Sequence, residues 1–101
     1  MISMVLNDQS AHAFEISSFS RTTSFNAEGA NSYGYVGVIP SPSTVAFLQT
    51  IGVSGINSIE LKNENGESIY TLADIEATIQ NIDENLNGDN MSVNMNLNFV
   101  I

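Results

Sequence analysis

The closing segment, MSVNMNLNFVI at residues 91–101, constrains the fold more than any other stretch of the chain. Apolar residues and asparagines alternate along it: Val93, Met95, Leu97 and Phe99 against Asn94, Asn96 and Asn98. In a β-strand, successive side chains point to opposite faces of the sheet. The segment is therefore predicted to be a strand with one buried face and one face of neutral amides.

Other segments extend this pattern into a mainly β domain. Short apolar or alternating runs predict strands at 2–6, 12–25 and 33–39, with a β-bulge near Ser17 and Ser18 that restores the phase of the second run. The turn sequence NENG predicts a hairpin within 56–72, and 26–32 is predicted to be a loop. A short helix is expected at 43–51, with Ser43 as its cap. The predicted fold is one domain, 1–101, forming a compact antiparallel β-sandwich.

One segment, 73–86, is compatible with two structures. Four apolar residues at helical spacing indicate a helix: Ile75, Ile79, Ile82 and Leu86. However, Asp83 and Glu84 would lie near its negative C-terminal end, and Thr78 is a poor helix former. We favour a strand, and a helix here would make the class α+β.

A core follows from these assignments. The residues expected to be buried are Val5, Phe14, Ile16, Val36, Val38, Leu48, Ile59, Leu61, Ile69, Ile79, Val93, Met95, Leu97 and Phe99.

Charge and composition exclude several kinds of partner. Arg21 and Lys62 are the only basic residues against eleven acidic ones, which gives a net charge of −9. Phosphate backbones and anionic lipids repel such a chain, so neither direct nucleic-acid binding nor membrane binding is expected. The opening residues lack the basic region of a signal peptide. With no cysteine, neither a disulfide nor a thiolate site is available.

The stretch NIDENLNGDN, residues 81–90, raises the question of a calcium loop. It matches the opening of an EF-hand loop and supplies four oxygen-bearing side chains: Asp83, Asn85, Asn87 and Asp89. The twelfth position, however, is Asn94 rather than the bidentate glutamate, and it falls within the predicted final strand. A hairpin turn is therefore the favoured interpretation, with calcium as the alternative and no other cofactor expected.

Catalytic chemistry is not expected. His12 is the only histidine, so a His-pair metal site cannot form within one chain. Ser17 or Ser18 with His12 and Asp8 contains the residue types of a hydrolase triad, but no nucleophile-elbow motif is present. Adjacent acids such as Asp83 and Glu84 do not by themselves define a general acid–base pair. The sequence therefore predicts a protein that is not an enzyme.

Neutral polar faces are better suited to protein–protein contacts. The final strand is expected either to pair at both edges or to meet another subunit. Its candidate interface residues are Asn94, Asn96, Asn98, Phe99 and Ile101. The Ser/Thr-rich stretch SSFSRTTSF is a second neutral surface of the same kind.

Two stretches, FEISSFSRTTSF and SIELKNENGESIYTLADIEATIQNIDENLNGDNMSVNMNLNF, carry a resemblance to a known class. The chain resembles small β-rich virion structural proteins of tailed bacteriophages, which are poor in Lys and Cys and rich in Asn and Ser. This resemblance implies a non-enzymatic capsid-decoration, tail or baseplate protein that binds other virion proteins or itself. It would reside in the virion, and in the host cytoplasm before assembly.

The acidic block from Glu60 to Asp89 supports an alternative function. Eight of the eleven acids lie within it. An acidic inhibitor or decoy would use such a block to bind a basic site on a nucleic-acid-binding enzyme.

Overall fold

The computed structural model describes all residues, 1–101, and contains seven β-strands and one α-helix. In chain order the elements are β1 (Ile2–Leu6), a 3-10 turn (Ser10–His12), β2 (Phe14–Asn26), β3 (Gly29–Val38), α1 (Pro42–Ser54), β4 (Ile59–Lys62), β5 (Ser68–Leu72), β6 (Ala77–Asn87) and β7 (Asn90–Phe99). The predicted class, mainly β and antiparallel with one short helix, is confirmed.

All seven strands form one continuous sheet, in the order β5-β4-β1-β2-β3-β7-β6. A sandwich of two separate sheets would need a break in this order. There is none, because β1 pairs with β2 on one edge and with β4 on the other. Leu48 and Ile51 of α1 join the same core cluster as the inner-face residues of the strands. The helix therefore takes the place of a second layer, and the opposite, outer face of the sheet carries no helix.

β7 lies inside the sheet, and β6 forms its edge. β7 pairs with β3 on one side and with β6 on the other. Of the two arrangements expected for the final strand, this is pairing at both edges. The segment left open between strand and helix is a strand, beginning at Ala77. A register shift between Ile79 and Asn81 allows Ile79 and Ile82 to share the inner face, opposite Leu97 and Met95 respectively. This bulge explains why the apolar spacing in β6 resembles that of a helix.

The β2–β3 hairpin is longer than its sequence indicates. The predicted bulge near Ser17 is confirmed by a register shift between Ile16 and Ser18. The predicted loop at 26–32 is wrong, because Asn26 already pairs with Gly29 and β3 begins there. At the other edge, the NENG hairpin is confirmed, with Gly66 at φ 79° in its turn.

Helix α1 begins earlier and ends later than 43–51. Its N-cap is Ser41 rather than Ser43, with Pro42 in the first turn, where a fixed φ and a missing N–H are tolerated. It continues to Ser54, and Gly55 at φ 86° donates its N–H to the Ile51 carbonyl at 2.8 Å. A positive φ of this kind favours glycine at the end of a helix.

The core matches most of the predicted residues. Twelve of the expected side chains are buried: Val5, Phe14, Ile16, Val36, Val38, Leu48, Ile59, Leu61, Val93, Met95, Leu97 and Phe99. Ile79 is half-buried against them. Ile69 is 52% exposed, which contradicts its assignment. It lies at a register shift where Tyr70 pairs with Leu61 and Ser68 with Lys62, so Ile69 has no partner in the ladder. Five further residues complete the core: Met4, Leu6, Ile51, Ile56 and Ala77.

Gly34 and Gly37 of β3 differ in the side chains that an added Cβ would meet. A Cβ built on Gly34 would lie 2.8 Å from a ring carbon of Phe99 and 3.2 Å from Cβ of Leu97. Both neighbours are buried, so neither can retreat. We expect Gly34→Ala to lower the free energy of unfolding by about 1–3 kcal/mol, the usual cost of overpacking, as measured by urea denaturation.

Gly37 provides the matched control for this prediction. A Cβ there would meet the hydroxyl oxygens of Ser17 and Ser18 at 2.5 and 2.7 Å. Both serine side chains are exposed and can rotate away. Gly37→Ala should therefore destabilise less than Gly34→Ala. The opposite order would contradict the packing of Phe99 against Gly34.

Candidate interaction surface

Neutral polar side chains from four adjacent strands meet on the outer face of the sheet. The β-ladder registers place them in rows across β2, β3, β7 and β6: Thr22, Tyr33, Asn98 and Thr78; Ser20, Tyr35, Asn96 and Asn81; Ser18, Gly37, Asn94 and Asp83. We call these three rows the polar platform. It is four strands wide and three same-face positions long, roughly 20 Å by 20 Å.

The two tyrosines are the most prominent side chains of the polar platform. Tyr33 and Tyr35 are 46% and 44% exposed, although β3 is an interior strand. Each lies between a hydroxyl-bearing residue of β2 and an asparagine of β7. An exposed phenol offers both apolar area and a hydroxyl that donates or accepts a hydrogen bond. The centre of the platform can therefore contact a partner through both kinds of interaction.

The polar groups of the platform are largely available to a partner. Within it, the amide of Asn81 donates one hydrogen bond to the Asp83 carboxylate, at 3.0 Å. Asn94 and Asn96 are half-buried and Asn98 is exposed. An asparagine amide has two donor hydrogens and an acceptor oxygen. The asparagine column of β7 thus presents alternating donors and acceptors to whatever covers it.

The platform is nearly free of charge in a chain whose net charge is −9. Asp83, at its β6 border, is its only acidic residue, and Arg21 is directed to the inner face, where it lies over the Phe99 ring at 4.3 Å. Lys62 pairs with Glu60 on β4. At the far end of the sheet, the amino group of Met1 forms an ion pair with Glu64 and lowers the pKa of that carboxyl. The other charges of the outer face lie outside the platform: Glu15 on β2, and Glu60 and Lys62 on β4.

The structure divides the five candidate interface residues into three groups. Asn94, Asn96 and Asn98 all lie on the polar platform. Phe99 is only 4% exposed and belongs to the inner core, so it is not available to a partner. The reason is the strand alternation itself, which directs Phe99 to the face opposite Asn98. Ile101 lies beyond the end of β7 and is 70% exposed.

The calcium candidates do not converge on a point. Asp83, Asn85 and Asn87 lie at alternate positions of β6, paired with Asn94, Ser92 and Asn90. Same-face residues of a strand are about 6.6 Å apart, whereas calcium needs its oxygens at about 2.3–2.6 Å from one centre. Gly88, at φ 65°, forms the turn with Asp89. No group of three or more His, Cys, Asp or Glu side chains has the geometry to hold a metal ion. The segment is a hairpin and not an EF-hand loop.

The residues considered for catalysis lie in separate parts of the fold and contact other groups. His12 stacks on Phe47 of α1, with ring centroids 4.8 Å apart and planes 9° from parallel. Ser17 and Ser18 form the bulge of β2, and Asp8 is an exposed residue at φ 57° after β1. Asp83 and Glu84 are successive residues of a strand and so point to opposite faces. No serine–histidine or carboxylate pair is assembled by hydrogen bonds.

Sequence reasoning found the asparagine column and the Ser/Thr column, but not the tyrosines between them. Tyr33 and Tyr35 were recognisable as residues of an alternating strand. Their place at the centre of the surface depends on β3 pairing with both β2 and β7, which no local pattern encodes. The sequence signal for them is the alternation of Tyr33 and Tyr35 with Gly34 and Val36, which places both tyrosines on one face of β3.

No family model matches the chain, and no curated protein matches it either. No helix of the protein is long and apolar enough to cross a membrane.

Proposed function

We propose that this protein is a non-enzymatic structural component of a tailed-phage particle. It would act as a capsid-decoration, tail or baseplate protein and bind other virion proteins, or copies of itself, through the polar platform. It would accumulate in the host cytoplasm before assembly and in the virion afterwards. The observation that carries the proposal is the pair of exposed tyrosines set among neutral amides and hydroxyls on a sheet face that no helix covers.

The composition of the platform suits protein recognition. Tyrosine is enriched in protein interfaces and charged residues are depleted at their centres. Tyr, Ser and Asn are also the residues on which antibody binding sites depend. Tyrosine supplies contact area at low entropic cost there, while serine and asparagine supply adaptable hydrogen bonds. Asp83 is the sole carboxylate among twelve platform positions, so little charge must be desolvated on binding.

The size of the platform favours binding in many copies. Its roughly 400 Å² is about half of the ~800 Å² that each partner contributes to a standard interface. A contact of this size is weak when made once. In a particle the same contact is repeated, and linked contacts raise the overall affinity through effective concentration. Alternatively, the interface extends beyond the platform.

The acidic inhibitor alternative gains no support from the arrangement of the acids. Asp83 and Glu84 lie on opposite faces of β6, and Glu60 is already paired with Lys62 at 3.8 Å. Glu64 pairs with the amino terminus at the other end of the sheet. A decoy for a basic groove needs its charges on one surface, so we do not propose this function.

Mass spectrometry of purified particles tests the proposal. The chain should be present in stoichiometric amounts, and a tagged copy should co-sediment with particles that lack it. In the double variant Tyr33→Ser/Tyr35→Ser, the co-sedimenting fraction should fall at least about tenfold, because buried interface tyrosines are frequent hot spots.

Phe25→Ser is the matched control for this experiment. Phe25 is an aromatic residue of β2 that is 81% exposed and lies outside the platform. Its loss should leave co-sedimentation unchanged. Absence of the chain from the particles would overturn the proposed function, and normal co-sedimentation of the tyrosine variant would exclude the platform as the interface.

A further inference from the structure

The sheet has two edge strands, β5 with 5 residues and β6 with 11, so its long open edge is that of β6. β6 pairs with β7 along one edge, and along its other edge only its first residue has a partner. There Ala77 and Ile56 exchange two backbone hydrogen bonds of 2.9 and 3.0 Å. From Thr78 to Asn87 no strand pairs with this free edge. Unpaired backbone groups along such an edge can bind an additional strand.

An apolar groove lies next to this edge on the inner face. It has a volume of about 380 Å³ and is bounded by the start of α1 and by the end of the β6–β7 hairpin. Its lining includes Val45, Glu84, Met91 and Val93. Met91 is 47% exposed, and its neighbour in the ladder, Leu86, is 70% exposed. Met91 and Leu86 therefore lie on the inner face but stay exposed, because the sheet ends at β6 and no strand lies beside Leu86.

We propose that the open edge of β6 receives an extended, basic segment of a partner protein as an eighth strand. This inference rests on the proposed function and deepens it, because it names the chemistry of the partner. The added strand would place alternate apolar side chains over Leu86 and in the groove. It would also enlarge the interface beyond the polar platform, which includes residues of the same strand.

The charges of β6 define the chemistry of the added strand. Asp83 points to the outer face and Glu84 to the inner face. Neither forms an ion pair within the chain, since the ion pairs present are Met1 with Glu64 and Lys62 with Glu60. Residues opposite one another in paired strands approach to about 4.5–5.5 Å. Two consecutive Lys or Arg residues in the added strand would therefore meet both carboxylates, one on each face.

A second copy of the chain is a poorer occupant of the edge. Antiparallel pairing of two β6 strands would gather Asp83 and Glu84 of both copies in one short ribbon, and each copy carries a net charge of −9. Charged residues on an edge strand oppose pairing with any strand that does not neutralise them, a second copy included. The charges of β6 thus disfavour its own copy and attract a basic strand from another protein.

The test uses the full chain and a synthetic peptide, acetyl-VTVTKKVTVT-amide, in which the valines share one face with the first lysine. We expect binding in calorimetry that weakens as salt rises. In hydrogen exchange, the peptide should slow at least tenfold the exchange of those amides in 78–87 that point away from β7, without slowing those of β5. The same peptide methylated on the backbone nitrogens that would point to β6 should not bind, because it cannot complete the β-ladder.

Two charge variants test whether the peptide is bound by the carboxylates of β6 or by the overall negative charge of the chain. Asp83→Asn/Glu84→Gln should weaken peptide binding about tenfold. Asp74→Asn/Glu76→Gln removes the same charge just before β6 begins and should leave the affinity nearly unchanged.

Four results would overturn the inference: no binding of the peptide, equal binding of the methylated peptide, equal loss in the two charge variants, or a dimer whose β6 amides are protected without peptide. The peptide assay needs no particle, so its outcome is independent of the test of the proposed function. If the chain is a particle component and the peptide fails to bind, only the edge inference falls.

Discussion

Replacing Phe99 by alanine is expected to lower the free energy of unfolding by about 3–5 kcal/mol. The ring is 4% exposed and lies at the end of the core. The Arg21 guanidinium covers it at 4.3 Å, and the missing Cβ of Gly34 leaves room for its edge. Alanine would leave a cavity there and remove the cation–π contact of Arg21. Urea denaturation followed by circular dichroism measures the loss.

Asn98→Ala is the matched control, one residue earlier on the opposite face. Asn98 is exposed on the polar platform, and no buried group depends on its amide. Its replacement should change stability by no more than about 0.5 kcal/mol. If Phe99→Ala were equally mild and instead abolished co-sedimentation with particles, Phe99 would be an interface residue and its place in the core would be wrong.

Much of the strand content could be predicted because alternation is a local property. Val93 to Phe99 and the bulge near Ser17 were both evident from the order of apolar and polar residues. The start of α1 was harder to place, because Ser41 and Ser43 are both suitable N-caps and only Pro42 between them distinguishes the first turn. Local patterns thus predict which elements exist better than where they end.

The sheet's continuity could not be predicted from local patterns. Whether β1 links two halves or belongs to one of two sheets depends on its pairing with both β2 and β4, and β4 is distant in sequence. The same limit explains Ile69, whose exposure results from a register shift in the β4–β5 pair. Bulges invert the direction of every later side chain in a strand, so one unrecognised bulge misplaces a residue that otherwise fits the pattern.

The candidate site was only partly predictable for the same reason. The amides of β7 follow from its own alternation, whereas the open edge depends on β6 being the last strand of the sheet, which no local pattern indicates. β6 belongs to both candidate surfaces. Its Thr78, Asn81 and Asp83 are part of the polar platform, and its backbone forms the sheet edge. One partner that adds a strand to β6 can therefore also fold over the platform, and the two contacts together approach the size of a standard interface.

The second large effect concerns α1, which is expected to be indispensable as the cover of the inner face. Leu48 is fully buried and belongs to the core cluster. Leu48→Ala should lower the free energy of unfolding by about 2–5 kcal/mol, through lost apolar burial and the cavity left behind. The loss is a large fraction of the 5–15 kcal/mol typical of a domain, so thermal denaturation should show a strongly reduced Tm.

Val53→Ala tests whether this loss comes from packing rather than from the helix itself. Val53 lies on the same helix and is 92% exposed. Alanine has the higher helix propensity, so this variant should be neutral or slightly stabilising. A single sheet of seven strands has an apolar inner face that needs a second layer, and α1 is the only element available to supply it. If both variants unfolded at the same temperature as the wild type, α1 would not be that layer, and the inner face would have to be covered by another chain.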